Sequence, residues 1–495
     1  MQRMALQERS HRLNFILLVG EDTGRHHGCY GDPAGTTPSI DSLSESGLRY
    51  TNACSTGTVC APSRAALVTG RYQWSFGAHH MRSTVCNPPR LFTHELRDAG
   101  YHVRWPGKTD FNFDPPEGFA DSTDDWIDDL ERGTLPDTGF FVYCNLGITH
   151  ESTMWPNDSP YTGQVQERLS REHELSPDER HDPARVPVPA YLPDTTAVRE
   201  SLARYYDALT LQDRDVARVR AALRASPYAA NTVVIYMSDH GRGVVREKRW
   251  CYDAGIHLPL IVHGPGISRG VDDQMVSWVD VAPTVLTLAG VRVPDGYHGR
   301  PFLTADGAPA KQRREIAFAG RDRMDEGFDR VRAARDRRFL YIRNDYPEIP
   351  YAQRLRYMER HPATHEVRRL AAEGQLEPAE MLWMHPQKPA EELYDLEADP
   401  ENIHNLAKDP AHRQRRDTLR VALEAELSRS GDLGLSSERE LIAAGIVADR
   451  LSEYSERLEP LPEAFAIGGV RHTVLEMPDR AKDRPNEIHR STESP

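Results

Sequence analysis

The sequence predicts an α/β fold: a large, mostly parallel sheet sandwiched by helices, then a smaller carboxyl-terminal subdomain built on an antiparallel sheet. Three observations predict it. Short, continuously apolar runs recur between residues 14 and 310, as parallel strands buried on both faces require. Segments with apolar residues at three- and four-residue steps alternate with them. After about residue 312 the pattern changes to strands in close succession. At 495 residues the chain also exceeds the ~250–300 at which a single core stops growing. The expected division is a catalytic α/β domain over 1–311, an α+β subdomain over 312–467 and a polar tail over 468–495.

The first strand is Asn14–Val19, ending in Gly20-Glu21-Asp22. Ile40, Leu43 and Leu48 follow a Thr-Pro start and predict a helix over Pro38–Leu48. A second helix opens just after Cys60 and runs to Gly70, with Pro62 tolerated in its first turn. Phe140–Leu146 and Thr232–Met237 read as buried strands, and Leu258–Val262 as another. Leu202, Tyr206, Leu209, Val216, Val219 and Leu223 form one apolar helix face. Val279–Ala289 is a short helix, Val331–Asn344 and Glu392–Leu396 are strands of the smaller sheet, and Thr418–Leu427 is a helix. Residues 156–197 are rich in Pro and charge and are expected to form a long loop over the sheet face. The tail is too polar to build a core and is expected to be poorly ordered.

Bulk composition narrows the function. Apolar content of 39% and charged content of 27% suit a globular enzyme. No apolar run reaches the ~18–20 residues of a membrane span, so no membrane partner is expected. Met1–Leu13 lacks the apolar core of a secretory leader, which gives the expectation of a cytoplasmic protein. The six cysteines lack metal-type spacing, and the five other than Cys60 are expected to be free thiols. A net charge of −14 argues against nucleic-acid or general polyanion binding. Positive charge for an anionic substrate must therefore be local. Only six of the 61 basic residues are lysines. A compact ammonium suits a tight anion site, and the many arginines are expected in solvent-facing pairs.

Two carboxylate-bearing pairs stand at strand ends: Glu21-Asp22 after the first, and Asp239-His240 after Thr232–Met237. Carboxylates there converge in the crevice where α/β sheets bind ligands, and such oxygen-rich clusters suit a hard divalent cation. The helix opening at Cys60 would favour an anion beside that residue.

The most informative stretch is Cys60-Ala61-Pro62-Ser63-Arg64, continued by Ala65-Ala66-Leu67-Val68-Thr69-Gly70-Arg71. This C-x-P-S-R-x-x-L-x-T-G-R string resembles the signature of type I sulfatases, within the alkaline-phosphatase-like superfamily. The resemblance implies that Cys60 is oxidised to Cα-formylglycine by a formylglycine-generating enzyme, and that the hydrated aldehyde attacks sulfur. A bare thiol has no second proton whose loss could expel the sulfate. It also implies calcium or magnesium held by Glu21, Asp22, residue 60, Asp239 and His240. Glu21 departs from the usual Asp, and His240 stands where the family has Asn or His.

Further residues carry over from the same resemblance. Arg64, one helical turn after Cys60, would stabilise the hydrated aldehyde. Lys108, in Pro106-Gly107-Lys108, and Lys248, ahead of Tyr252–Pro259, match the sulfate-binding lysines. Asp110 stands where many members carry a second contact, a His. His150 matches a His beyond a similar strand and would bind substrate and protonate the leaving atom; His240 is the alternative for that step. Glu392–Asn402 resembles the carboxyl-terminal subdomain of the family, so the match spans roughly residues 14 to 407. The Glu21-Asp22 pair, Gly77–Arg82 and Arg321–Asp325 resemble a bacterial branch similar to heparan N-sulfatase. The implied activity is hydrolysis of a sulfate ester or sulfamate of a sulfated sugar, or another small sulfate ester, in glycan degradation. A cytoplasmic enzyme would act on small imported fragments with an exo profile. The alternatives are a phosphate or phosphonate ester hydrolase on the same scaffold, and a non-catalytic glycan-binding homologue.

Overall fold

The computed structural model describes residues 12–159 and 163–455; the expected polar tail over 468–495 lies outside them. Seven strands form the main sheet: β1 (Asn14–Gly20), β2 (Leu48–Cys54), β3 (His102–Arg104), β4 (Phe140–Leu146), β5 (Thr232–Ser238), β6 (His257–His263) and β7 (Gly270–Ser277). Their order is β3-β4-β1-β5-β6-β2-β7. Every neighbouring pair is parallel except those made by β6, which runs against both β5 and β2.

Every residue of β1 is buried, so the strand is covered on both faces. Because successive side chains point to opposite sides, Ile16 and Leu18 join Val142, Val234, Leu43, Val216 and Val219 on one face. That face is covered by the helices Pro38–Ser46 and Thr196–Ala225. Phe15, Leu17 and Val19 pack on the other with Leu67, Val68, Phe92, Leu96, Val281 and Val285, from the helices Cys60–Thr69, Phe92–Asp98 and Val281–Leu288.

The reversal of β6 places the site. An antiparallel neighbour needs no crossover, so the whole 239–256 connection from β5 to β6 stays at the carboxyl edge of the sheet. Segments 21–22, 55–60, 105–108 and 147–151 follow β1, β2, β3 and β4 and emerge at that same edge.

The second sheet is antiparallel, ordered β11-β10-β9-β8, from β8 (Ala317–Arg321), β9 (Val331–Arg335), β10 (Phe339–Asn344) and β11 (Glu391–Asp395). Leu419, Leu423 and Leu427 of the helix Arg413–Ser430 cover one face of it, against Phe318, Ala334, Phe339, Tyr341 and Leu393. The two sheets touch where Gly320 N donates to Thr56 O at 2.9 Å, beside the Cys60 loop.

Three expectations change. The helix predicted over Pro38–Leu48 stops at Ser46, and after Gly47 the alternating Leu48–Cys54 forms β2. The 156–197 segment is not all loop: Gly163–Arg171 is a helix that buries Val165 and Arg168. Arginines are not confined to solvent-facing pairs, since Arg64, Arg242, Arg246, Arg321 and Arg323 are fully buried. All six cysteines are unpaired, and among the described residues no helix is long and apolar enough to cross a membrane.

Candidate active site

Cys60 is the first residue of its helix, with Val59 as N-cap in an extended conformation. The unpaired N–H groups of that first turn favour negative charge beside residue 60. Gly57 is required here: a Cβ would stand 2.7 Å from Ser63 N. Cys60 Sγ lies 3.3 Å from His240 Nε2 and 4.0 Å from Glu21 Oε1.

Around this sulfur the carboxyl edge brings together Glu21, Asp22, His150, Asp239 and His240. Ligand atoms of Glu21, Asp22, Cys60 and His150 lie within 4.8 Å of one another, as do those of Asp22, Cys60, Asp239 and His240. Asp22 adopts a left-handed backbone (φ 53), fixed by its N–H donating to Asp239 Oδ1 at 3.0 Å. Its Oδ1 is buried and receives no well-directed hydrogen bond, although His240 Nε2 stands 3.1 Å away. An orphaned carboxylate oxygen among oxygen donors fits a divalent cation. His240 Nδ1 lies 2.9 Å from Gly241 O. As the Nδ1–H donor it leaves Nε2 facing the carboxylates as a ligand.

Basic side chains hold Glu21 and Asp22 ionised. Burial would raise Glu21, but Lys108, His150 and Arg64 outweigh it and set the carboxyl at about 2. Burial likewise opposes ionisation of Asp22, and the Lys248 ammonium holds it well below the usual carboxylate range. Lys248 Nζ is 2.6 Å from Asp22 Oδ2 and 3.3 Å from Glu151 Oε2. Lys108 pairs with Glu21 and lies 3.3 Å from Asp110. Both lysines thus flank residue 60, one from the loop after β3 and one from the 239–256 connection.

Arg64 is anchored beside residue 60 by a set of buried partners. Its Nε and Nη2 donate to Asp239 Oδ2 at 3.1 and 2.9 Å, Nη2 to Asn145 Oδ1 at 2.8 Å, and Nη1 to the Tyr143 hydroxyl. It orients Asp239 directly. His150 faces Ser152 Oγ at 2.9 Å through Nδ1, and its Nε2 lies 3.9 Å from Glu21 Oε1. Burial, then Lys248, lowers its pKa.

Residues without a sequence signal complete the site. Glu151 accepts from Arg249 Nη1 and Nη2, both at 2.7 Å, and faces Lys248. Burial opposes its charge, but Arg249 and Lys248 bring its pKa to about 2. Its backbone presses on Gly243, where a Cβ would meet Glu151 Cβ at 2.1 Å. The acid's adjacency to His150 was the one clue in the sequence. The segments resembling a particular sulfatase branch also meet: Met81 N donates to Arg323 O at 2.9 Å. His79 and His80 are buried there.

Comparison with known proteins agrees with this architecture. Residues 13–291 match the family described as Sulfatase. The chain is 34% identical over 468 residues to an ulvan-active sulfatase of Formosa agariphila, covering 87% of this chain and 77% of that protein. It is 26% identical to human N-sulphoglucosamine sulphohydrolase, covering 83% and 89%. A solved 2-O GAG sulfatase superposes with a TM-score of 0.61 at 21% identity, covering 94% of this chain and 98% of that one. With more than half of the chain inside the family match and a relative above 30% identity along most of its length, the protein belongs to the sulfatase family and is a sulfuric ester hydrolase.

Proposed function

We propose that the protein hydrolyses a sulfate ester or sulfamate of a sulfated sugar, using a formylglycine at position 60 and a divalent metal, calcium or magnesium. The observation that carries this reading is the placement of Cys60 Sγ 3.3 Å from His240 and 4.0 Å from Glu21, with lysines 108 and 248 on either side. The sugar is supported by relatives whose names specify ulvan and N-sulphoglucosamine.

Glu21, Asp22, Asp239 and His240 would hold the cation, whose charge offsets that of the sulfate. Once oxidised by a formylglycine-generating enzyme, residue 60 supplies as its hydrate one hydroxyl to attack sulfur and a second whose deprotonation releases sulfate. Lys108 and Lys248 then neutralise the sulfate oxygens in exchange for part of their pairing with Glu21 and Asp22. Such charge neutralisation is the largest contribution in transfers of this kind. Arg64 keeps Asp239 turned toward the cation site. His150 stands at the rim, where it can hold a proton for the departing oxygen or nitrogen, a step worth about 10²–10⁴ in rate.

Sulfate release from glucosamine N-sulfate and from glucose 6-sulfate tests the proposal. Purified protein should release sulfate from at least one, and Cys60→Ala should release none. A phenylphosphonate monoester in the same assay tests the competing chemistry, and faster turnover of that ester than of either sulfate overturns the reading.

A further inference from the structure

Most basic side chains around residue 60 are committed to internal partners. Lys248 and Arg249 are buried on Asp22 and Glu151, and Arg64 on Asp239. Arg323 is bonded through Nε and Nη2 to Glu438. Lys108 keeps 26% of its side chain accessible, and Arg82, paired with Asp325, keeps 43%. Lys108 is assigned above to the sulfate being cleaved. Arg82 has no role yet.

Arg82 is held near residue 60 by two loops besides its own. Met81, beside it, packs in one cluster with Val59, Cys60, Ala61 and Met324. The Arg82 N–H donates to Asn112 Oδ1 at 3.0 Å. Asn112 Nδ2 in turn bonds Ala78 O at 3.0 Å and His80 O at 2.7 Å, tying the Lys108 loop to the Arg82 loop. Its Nε donates to Asp325, delivered from the end of β8 beside the Cys60 loop. Asp110 and residue 60 are within its electrostatic reach.

The backbone is bent to achieve this. Arg82 (φ 65), Asp110 (φ 49), Asn112 (φ 59) and Asp325 (φ 45) are all left-handed without being glycine. Four such residues on three converging loops mark a place where side-chain direction is held against local preference. The resulting pair is asymmetric: the Asp325 side chain is 8% exposed beneath the 43% exposed guanidinium. The exposed cation is therefore backed by a buried carboxylate that braces it. A planar guanidinium fork matches oxyanions in a bidentate manner.

We infer that Arg82, braced by Asp325, is a specificity-determining residue that binds a second oxyanion of the substrate, a carboxylate or a further sulfate on the sugar. This inference rests on the sulfatase reading above. It distinguishes the sulfate being cleaved, held by the lysines, from a neighbouring charge read at the rim.

The test compares kcat/KM on four probes: an aryl sulfate, glucose 6-sulfate, glucosamine 2-N,6-O-disulfate and a sulfated disaccharide carrying glucuronate. The parent protein should favour the disulfate or the glucuronate probe over glucose 6-sulfate, and which one it favours identifies the oxyanion. Arg82→Gln should lower that preference about tenfold or more, chiefly through KM. Arg82→Lys should restore part of it, and Asp325→Asn should weaken it. A parent with no preference overturns the inference, as does a preference that survives Arg82→Gln or an equal loss on all four probes. Absence of aryl sulfate turnover in the parent counts instead against the sulfatase site itself.

Discussion

Lys248 Nζ stands 2.6 Å from Asp22 Oδ2, so one ammonium is tied to a candidate metal ligand before substrate arrives. The same ammonium lies 3.3 Å from Glu151. It is thus aimed by two carboxylates from two different loops, after β1 and after β4.

Removing it should therefore impair the chemical step. Lys248→Ala is expected to lower kcat/KM by at least ~10²-fold, about 2.7 kcal/mol. Lys248→Arg should also be poor, because a planar fork does not fit between Asp22 and Glu151 as an ammonium does. Steady-state kinetics on an aryl sulfate check this. Activity equal to that of the parent would make Lys248 a structural counter-ion only.

His150 should matter in proportion to the difficulty of the leaving group. His150→Ala is expected to slow a sugar sulfate far more than an activated aryl sulfate, since only the former needs a proton at the departing atom. Equal losses on both would pass that role to His240.

Metal removal should abolish activity reversibly. Chelation or Asp239→Ala is expected to strip a stoichiometric divalent ion, read by elemental analysis, together with nearly all turnover. Asp239→Ala also leaves Arg64 buried without its carboxylate, so stability should fall by about 3–5 kcal/mol. Glu21→Asp keeps the ligand type and should have a modest effect. Full activity without metal would refute the assignment.

Acid should unfold the protein well above the carboxylate range. Burial is the main cause that lowers His27 to about 3, His257 to about 4 and His361 to about 3. In the unfolded chain these imidazoles take up a proton near 6.5. Between pH 6.5 and about 4 the unfolded state binds more protons, so their stability contribution is lost as pH falls through that window. Each contributes up to about 1.4 kcal/mol per pH unit. Denaturant unfolding at pH 7.5, 6 and 5 should show the decline, and His27→Gln should flatten its slope. A flat profile would contradict the assignment. Glu151 acts lower, with its contribution present above 4.5 and lost as pH falls through about 2.

Strands buried on both faces were legible because each announces itself as an apolar run, and β4 matches its predicted bounds to the residue. Strand direction was not. The reversal of β6 depends on where the 239–256 connection packs, and Leu258–Val262 reads the same either way. β2 escaped because Leu48 continues the helical spacing of Ile40 and Leu43, which masked the break at Gly47. The segments carrying Cys60, Lys108 and Lys248 were legible because they resemble segments of type I sulfatases. Glu151, Arg249 and the Arg82–Asp325 pair were not, since partners are chosen by three-dimensional proximity: Arg82 and Asp325 are 243 residues apart. Arg64 was found, but its engagement with Asp239 could be seen only in the fold.

The central claim is that residue 60 acts as an oxidised side chain, and mass spectrometry of the peptide containing it in catalytically active protein tests this most directly. The account predicts the aldehyde form at position 60, in a proportion that rises with specific activity across preparations co-expressed with and without a formylglycine-generating enzyme. Full sulfatase activity in protein whose Cys60 is entirely an unmodified thiol would contradict it.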